Sequence, residues 1–256
     1  MAAQLHNLLL RWYSIPLLLI LWQLSVSTGL VQSRLLPSLS QIWSVFYNEI
    51  ANGTLLYHAS VTVSRALTGF AIAIIVGIPF AAAMARSKWW RDLFEPTFLL
   101  SYPVPKIALF PIFTYIFGIG TPSKIAFSAL ECLYPIVITS YFGFRAIQTR
   151  LIWTAQNFGA SKFTTFRRVI VPASLPSIFS GLRVALPVAI VVVVLTEMIG
   201  DSVGLGFYIT NWSTRFSFPH VYAAILLIGI IGLTLDFLLL TLRRHFIYWQ
   251  KEQTTK

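Results

Sequence analysis

Ala66-Leu-Thr-Gly-Phe-Ala-Ile-Ala-Ile-Ile-Val-Gly-Ile-Pro-Phe-Ala-Ala-Ala-Met-Ala85 runs between Arg65 and Arg86 without a single Asp, Glu, Lys or Arg. A helix that crosses the hydrocarbon core needs ~20 mainly apolar residues, so this stretch alone is long enough to span a bilayer. Two more windows are equally free of charge, from Arg11 to Arg34 and from Arg215 to Asp236. Composition agrees, with 57% hydrophobic residues, 11% charged residues and a mean hydropathy of +0.75. A chain of 256 residues this apolar cannot hide its hydrophobic surface in one soluble core.

Three weaker windows carry proline or a charge: 94–117 with Lys106, 123–144 with Glu131, and 177–200 with Arg183 near its start and Glu197 near its end. The reading is therefore an all-α integral membrane protein, one domain over 1–256, with six transmembrane helices at about 13–31, 60–85, 94–117, 123–144, 177–200 and 221–242. Pro103, Pro105 and Pro111 crowd the third window and leave five spans plus a re-entrant segment as the alternative. The first window is expected to be a retained helix rather than a signal peptide, because its apolar run is longer than an ordinary signal core. Cys132 stands alone and permits no disulfide within the chain.

The net charge of +11 is distributed on one side. With the N-terminus inside, Arg11, Arg86, Lys88, Arg91, Arg145, Arg150, Lys162, Arg167, Arg168, Arg243, Arg244, Lys251 and Lys256 face the cytoplasm, whereas Arg34, Lys124 and Arg215 face outward. By the positive-inside rule both termini are cytoplasmic, and the excess charge needs no nucleic-acid partner. Leu39, Ile42, Trp43, Phe46 and Ile50 recur at helical spacing after Pro37 and Ser38 and predict a short interfacial helix on the outer side. Trp12, Tyr13, Trp43, Tyr47, Trp89, Trp90, Tyr248 and Trp249 fall where headgroups lie, as anchors.

Function is sought in the one long inner connection, 147–172, between spans four and five. Ile147, Leu151, Ala155 and Phe158 share one helical face, and Phe163, Phe166 and Ile170 share another. Gly159 permits a turn between them, Ser161 is placed to cap the second helix, and Pro172 is expected to end it. An amphipathic hairpin of this kind fits either an inner-leaflet surface or a partner protein.

These residues resemble the coupling loop of importer permeases of the ATP-binding-cassette (ABC) superfamily: Glu-Ala-Ala, three residues, Gly, nine residues, then Ile-x-Leu-Pro. Ala155, Gly159, Val169, Val171 and Pro172 fall on that pattern, while Trp153 and Thr154 replace its leading Glu and first Ala. Tyr102-Pro-Val-Pro-Lys-Ile-Ala-Leu-Phe-Pro111, Phe117-Gly-Ile-Gly120, Gly159-Ala-Ser161, Gly181-Leu-Arg-Val-Ala185 and Glu197-Met-Ile-Gly200 are similar to the nitrate/sulfonate/taurine branch, in order from about Leu36 to Arg244. The resemblance implies a type I importer permease in a bacterial inner membrane. It implies two ATPase subunits, a second permease copy and an extracytoplasmic substrate-binding protein, with ATP and Mg held by the ATPases and no cofactor on this chain. Ala155, Gly159, Ala160, Ser161, Phe163, Phe166 and Pro172 become the candidate coupling residues, and the cargo a small anionic solute. The sequence is consistent on one point independently: Gly120-Thr-Pro-Ser-Lys124 lacks the second glycine of a phosphate loop, so the chain is not expected to be an enzyme.

Charges inside the membrane are costly and predict partners. At ~1.5 Å per residue, Arg65 lies roughly 8 Å and Glu197 roughly 5 Å below the outer ends of their spans, and Arg183 and Asp236 lie about 9 Å from the inner ends. Arg65 with Glu197 and Arg183 with Asp236 are thus level, as structural pairs or gate elements. Lys106 and Glu131 show no partner at their depth and are candidates for the pathway, where a cation suits an anionic cargo. A carrier driven by an ion gradient would also explain buried charges, but it gives the hairpin no role. His6, His58, His220 and His245 show no metal-ligand spacing.

Overall fold

A computed structural model describes residues 13–31, 35–101 and 104–249. Arg11, Trp12, Arg34, Tyr102, Pro103, Lys251 and Lys256, named above, lie outside them, as does His6. The described chain is all helical. Its elements are α1 Ser14–Ser27, α2 Leu39–Ala51, α3 Thr54–Arg86, α4 Lys88–Ser101, a 3₁₀ turn Lys106–Leu109, α5 Phe110–Phe117, α6 Thr121–Arg145, α7 Thr149–Asn157, α8 Lys162–Met198, α9 Leu205–Thr214 and α10 Phe218–Phe246.

Four helices, α3, α6, α8 and α10, are long and apolar enough to cross a membrane. The expected first span is shorter than its window: Thr28 and the left-handed Gly29 close α1 after 14 residues. Fourteen residues reach ~21 Å, short of the ~30 Å hydrocarbon core. The expected third span is not one helix. Val104 and Pro105 are not helical and a 3₁₀ turn begins at Lys106, since Pro105 has no amide to donate and forces its predecessor out of helical geometry.

α6 is the centre of the bundle, packed along α3 on one side and along α8 on the other. Small residues bring these backbones together. A side chain at Gly69 would strike Ser128, one at Gly143 would strike Ser177, and one at Gly181 would strike Thr139 and the Pro135 carbonyl. Close backbone approach through small residues is how membrane helices gain van der Waals contact when lipid removes the hydrophobic drive. Between the seams, Phe70, Ala73, Cys132, Ile136, Val137, Ala185, Ala189 and Val193 fill the core.

α2, the helix expected after Pro37 and Ser38, starts where the sequence places it. Ser38 accepts from the Gln41 amide at 3.3 Å while the Gln41 side chain accepts from the Ser38 amide at 3.1 Å, a reciprocal capping box. Trp22 of α1 donates to the Pro37 carbonyl and Gln23 accepts from the Leu39 amide, tying α1 to the start of α2. On α10 the buried residues Val221, Ala223, Ala224 and Leu227 all lie in its first half.

Candidate functional site

The ends of α3, α6 and α8 remote from the 147–172 hairpin meet in a sealed cluster of four charges. Arg65 of α3 donates through Nη1 to Glu197 of α8 and to Asp201 in the loop after it, both at 2.8 Å, and through Nε and Nη2 to Thr121 of α6 at 3.1 and 2.9 Å. Lys124 of α6 lies 3.0 Å from the same Asp201 oxygen. The two cations balance the two carboxylates, and side-chain exposures of 3%, 0%, 8% and 1% for Arg65, Glu197, Asp201 and Lys124 leave almost nothing to solvent. In so dry a setting the charges persist only because each is paired and hydrogen-bonded.

Glu197 also organises the backbone beyond it. Its Oε2 accepts from the Thr62 hydroxyl at 2.8 Å and from the Gly206 amide at 3.1 Å, so the carboxylate caps the N-terminus of α9, where the helix dipole favours negative charge. Thr62 in turn accepts from the Leu205 amide and His58 Nδ1 from the Gly204 amide. Gly204 sits at φ +111°, and any side chain there would run into the Glu197 carboxylate, so glycine is required twice over. Burial works to raise the pKa of Asp201, but the Ser202 amide, Lys124 and Arg65 outweigh it and hold the group below the ordinary aspartate value.

Depth counting placed Arg65 level with Glu197 and missed the other half of this cluster. Lys124, expected only as a cation on the outer side, is 1% exposed, because the loop carrying Asp201 folds back between the helix ends and brings a carboxylate to it. Asp201, Thr62 and Thr121 left a faint signal in the sequence, namely an acid flanked by Gly200 and Gly204, both of which take left-handed backbone.

Arg183 and Asp236 form a bidentate pair, Nε to Oδ1 at 2.9 Å and Nη2 to Oδ2 at 3.2 Å, joining α8 to α10 with side chains 52% and 37% exposed. Lys106 and Glu131 are not without neighbours. The Lys106 ammonium lies over the Tyr134 ring, 4.2 Å from its centroid, and its charge reaches Glu131. The break in the third helix is what turns Lys106 toward α6.

The hairpin between α6 and α8 is built as a fixed turn. α7 ends in a Schellman motif: the Gly159 amide donates to the Gln156 carbonyl at 2.9 Å and the Ala160 amide to the Ala155 carbonyl at 3.0 Å, with Gly159 at φ +80°. Ser161 then caps the next helix by accepting from the Thr164 amide at 3.2 Å. Ala155, Ala160 and Phe166 are half-buried, while Trp153, Phe158 and Phe163 are 63%, 86% and 71% exposed. Pro172 does not end the second helix. The chain passes through a π turn at Phe166–Ile170 and runs on as one helix to Met198, with Pro172 in the first turn after the π segment. The wider π spacing takes up the missing proline amide and the clash of its ring with the preceding turn.

The profile of the binding-protein-dependent transport system inner membrane component family matches residues 69–248. The chain belongs to that family. Its relatives include an Escherichia coli protein named as an aliphatic sulfonates transport permease, SsuC, 31% identical over 252 residues covering 97% of this chain and 96% of that one. The taurine transport system permease protein TauC of the same species is 29% identical, covering 97% of each chain. The riboflavin transport system permease protein RibX of Chloroflexus aurantiacus is 31% identical over 93% of this chain and 88% of its own length. Among solved structures, an inward-facing form of the MetNI methionine ABC transporter superposes with a TM-score of 0.64 at 17% identity, covering 73% of this chain and 93% of that one, which shows a shared fold. The protein is thus a multi-pass inner-membrane permease subunit of an ABC importer, non-catalytic itself, in a family that works with ATPase and binding-protein partners.

Proposed function

We propose that this permease forms the passage for a small anionic solute and takes its energy from two ATPase subunits that grip the hairpin at 147–172. A second copy of the chain completes the passage, an extracytoplasmic protein delivers the cargo, both termini lie in the cytoplasm, and ATP with Mg is held by the ATPases. The observation that carries this reading is the hairpin itself. A Schellman turn and a serine cap hold its two arms at a fixed angle while Trp153, Phe158 and Phe163 stand out from it. Rigid, exposed aromatic side chains are what a partner groove binds. Arg145, Arg150, Lys162, Arg167 and Arg168 surround them, and no acid occurs between 145 and 175, so the groove is expected to have an acidic rim. The aliphatic sulfonate and taurine relatives support a cargo with an anionic group.

Arg65, Glu197, Lys124 and Asp201 act in this reading as the outer latch, and Arg183 with Asp236 as a second tie near the inner side. Gly159→Val tests the drive. The assembled transporter in liposomes is expected to lose ATP-driven uptake and the stimulation of its ATPase, while still purifying as a folded complex. Normal uptake with that substitution in place refutes the docking of the hairpin.

A further inference from the structure

Glu131, Tyr134, Tyr141 and Arg145 fall within an arc of about 80° on α6 and climb ~21 Å along it. Tyr134 and Tyr141 meet polar partners on α4, Lys106 comes from the 3₁₀ turn that follows it, and Arg145 is tied in through Tyr141 on α6 itself. Arg145 donates to the Tyr141 hydroxyl, which donates to Glu95, both at 2.9 Å; Tyr134 donates to Ser101 at 2.9 Å; and Lys106 covers the Tyr134 ring, one helical turn along α6 from Glu131. A face of this polarity is too costly to turn toward lipid.

Its upper end lies near the middle of the membrane, because Tyr134 is ~20 Å from the outer end of the 25-residue α6. The third window is broken at that same level, at Val104 and Pro105. Broken helices at mid-depth are where transporters admit backbone and side-chain groups to a cargo. The contrast with the outer latch is informative. There all four charges are sealed, whereas Lys106, Glu131 and Tyr134 are all only half-buried.

We propose that Lys106, Glu131 and Tyr134 form a mid-membrane binding site for a small zwitterion, a solute with an ammonium a few bonds from a sulfonate or carboxylate. The proposal rests on the reading of this chain as the passage-forming subunit and narrows its cargo. A simple anion gains attraction at Lys106 and meets repulsion from Glu131, so the pair offers it little. A zwitterion lying head to tail along the pair gains at both ends, its anionic group toward Lys106 and its ammonium toward Glu131.

The test uses the complete complex of permease and ATPase in lipid nanodiscs, in a Cys132→Ala background because Cys132 is the one cysteine of this chain, with labelling read on the permease band alone. Ser101→Cys and, separately, Val104→Cys report on the break, the second because Val104 is 48% exposed. Both are expected to react with charged methanethiosulfonates. 2-Aminoethanesulfonate is expected to slow that reaction by about tenfold, the effect of one charge-assisted contact, and ethanesulfonate to leave it unchanged. Lys106→Gln is expected to abolish the protection, and Glu131→Gln to let ethanesulfonate protect. Inert cysteines at both positions, or equal protection by the two solutes, overturns the site. ATP hydrolysis stimulated by the assembled permease is measured on the same samples, so a transporter that still couples with no such site refutes only this inference.

Discussion

Arg65→Met keeps the bulk of the side chain and removes its charge from the outer latch. Glu197, 1% exposed, would retain only the Thr62 hydroxyl and the Gly206 amide, and Asp201 would retain Lys124, so the sealed cluster would pass from neutral to one net negative charge. Breaking a buried pair from one side costs about 3–5 kcal/mol, because the remaining charge is left unmatched. At roughly 2–4 °C per kcal/mol for a chain of this size, the unfolding midpoint of the detergent-purified protein should fall by about 6 °C or more. Glu197→Gln added to Arg65→Met restores neutrality, since Lys124 and Asp201 still match. Contacting residues couple by about 0.5–3 kcal/mol, so the double variant should recover a visible part of the loss. Thermal unfolding followed by size-exclusion chromatography on the wild type, both single variants and the double variant measures that coupling. If the double variant is as unstable as the two losses added together, Arg65 and Glu197 are not energetic partners.

Gly181→Val drives a branched side chain into Thr139 and the Pro135 carbonyl; overpacking of the seam between α6 and α8 should cost about 1–3 kcal/mol in the same unfolding assay. Ser161→Ala removes the cap of α8 and about 1 kcal/mol of local stability, read as faster amide exchange at 162–166. The depressed pKa of Asp201 means that the unfolded chain takes up the proton first as pH falls. Its contribution is therefore full above 3.8 and is lost only as pH drops through the lower folded value. The stability gap between wild type and Asp201→Asn should accordingly be flat from about pH 7 to about pH 5, and a gap that closes in that range contradicts the assigned partners. For the inner tie, Arg183→Asp combined with Asp236→Arg should restore uptake lost in either single reversal if the pair's contact is what matters.

Hydrophobic length and caps were readable without coordinates, because both are local. The charge-free window after Arg65 became α3, Ser38 and Ser161 became caps, and Gly159 took the left-handed turn. What the sequence hid was set by tertiary return of the chain. Lys124 reads as an outer-loop cation until the Gly200–Gly204 loop folds back with Asp201, and Lys106 reads as isolated until the proline break swings it onto Tyr134. Pro172 reads as a terminator because proline usually is one; a π turn absorbs it, and no short-range pattern announces that widening. The third window stands between the two cases: hydropathy measures length and is blind to a break inside it, but Pro103, Pro105 and Pro111 keep a re-entrant segment open.

α8 runs from Lys162, three residues past the Gly159 turn, to Met198, one residue past Glu197, with no loop between them. Thirty-seven residues span about 54 Å, so tipping this strut by about 5° around one end sweeps the other through about 5 Å. That sweep exceeds the reach of the 2.8 Å contact between Arg65 and Glu197. A nudge at the hairpin and the fastening at the far end are thus two ends of one see-saw, and neither can shift far while the other stays put.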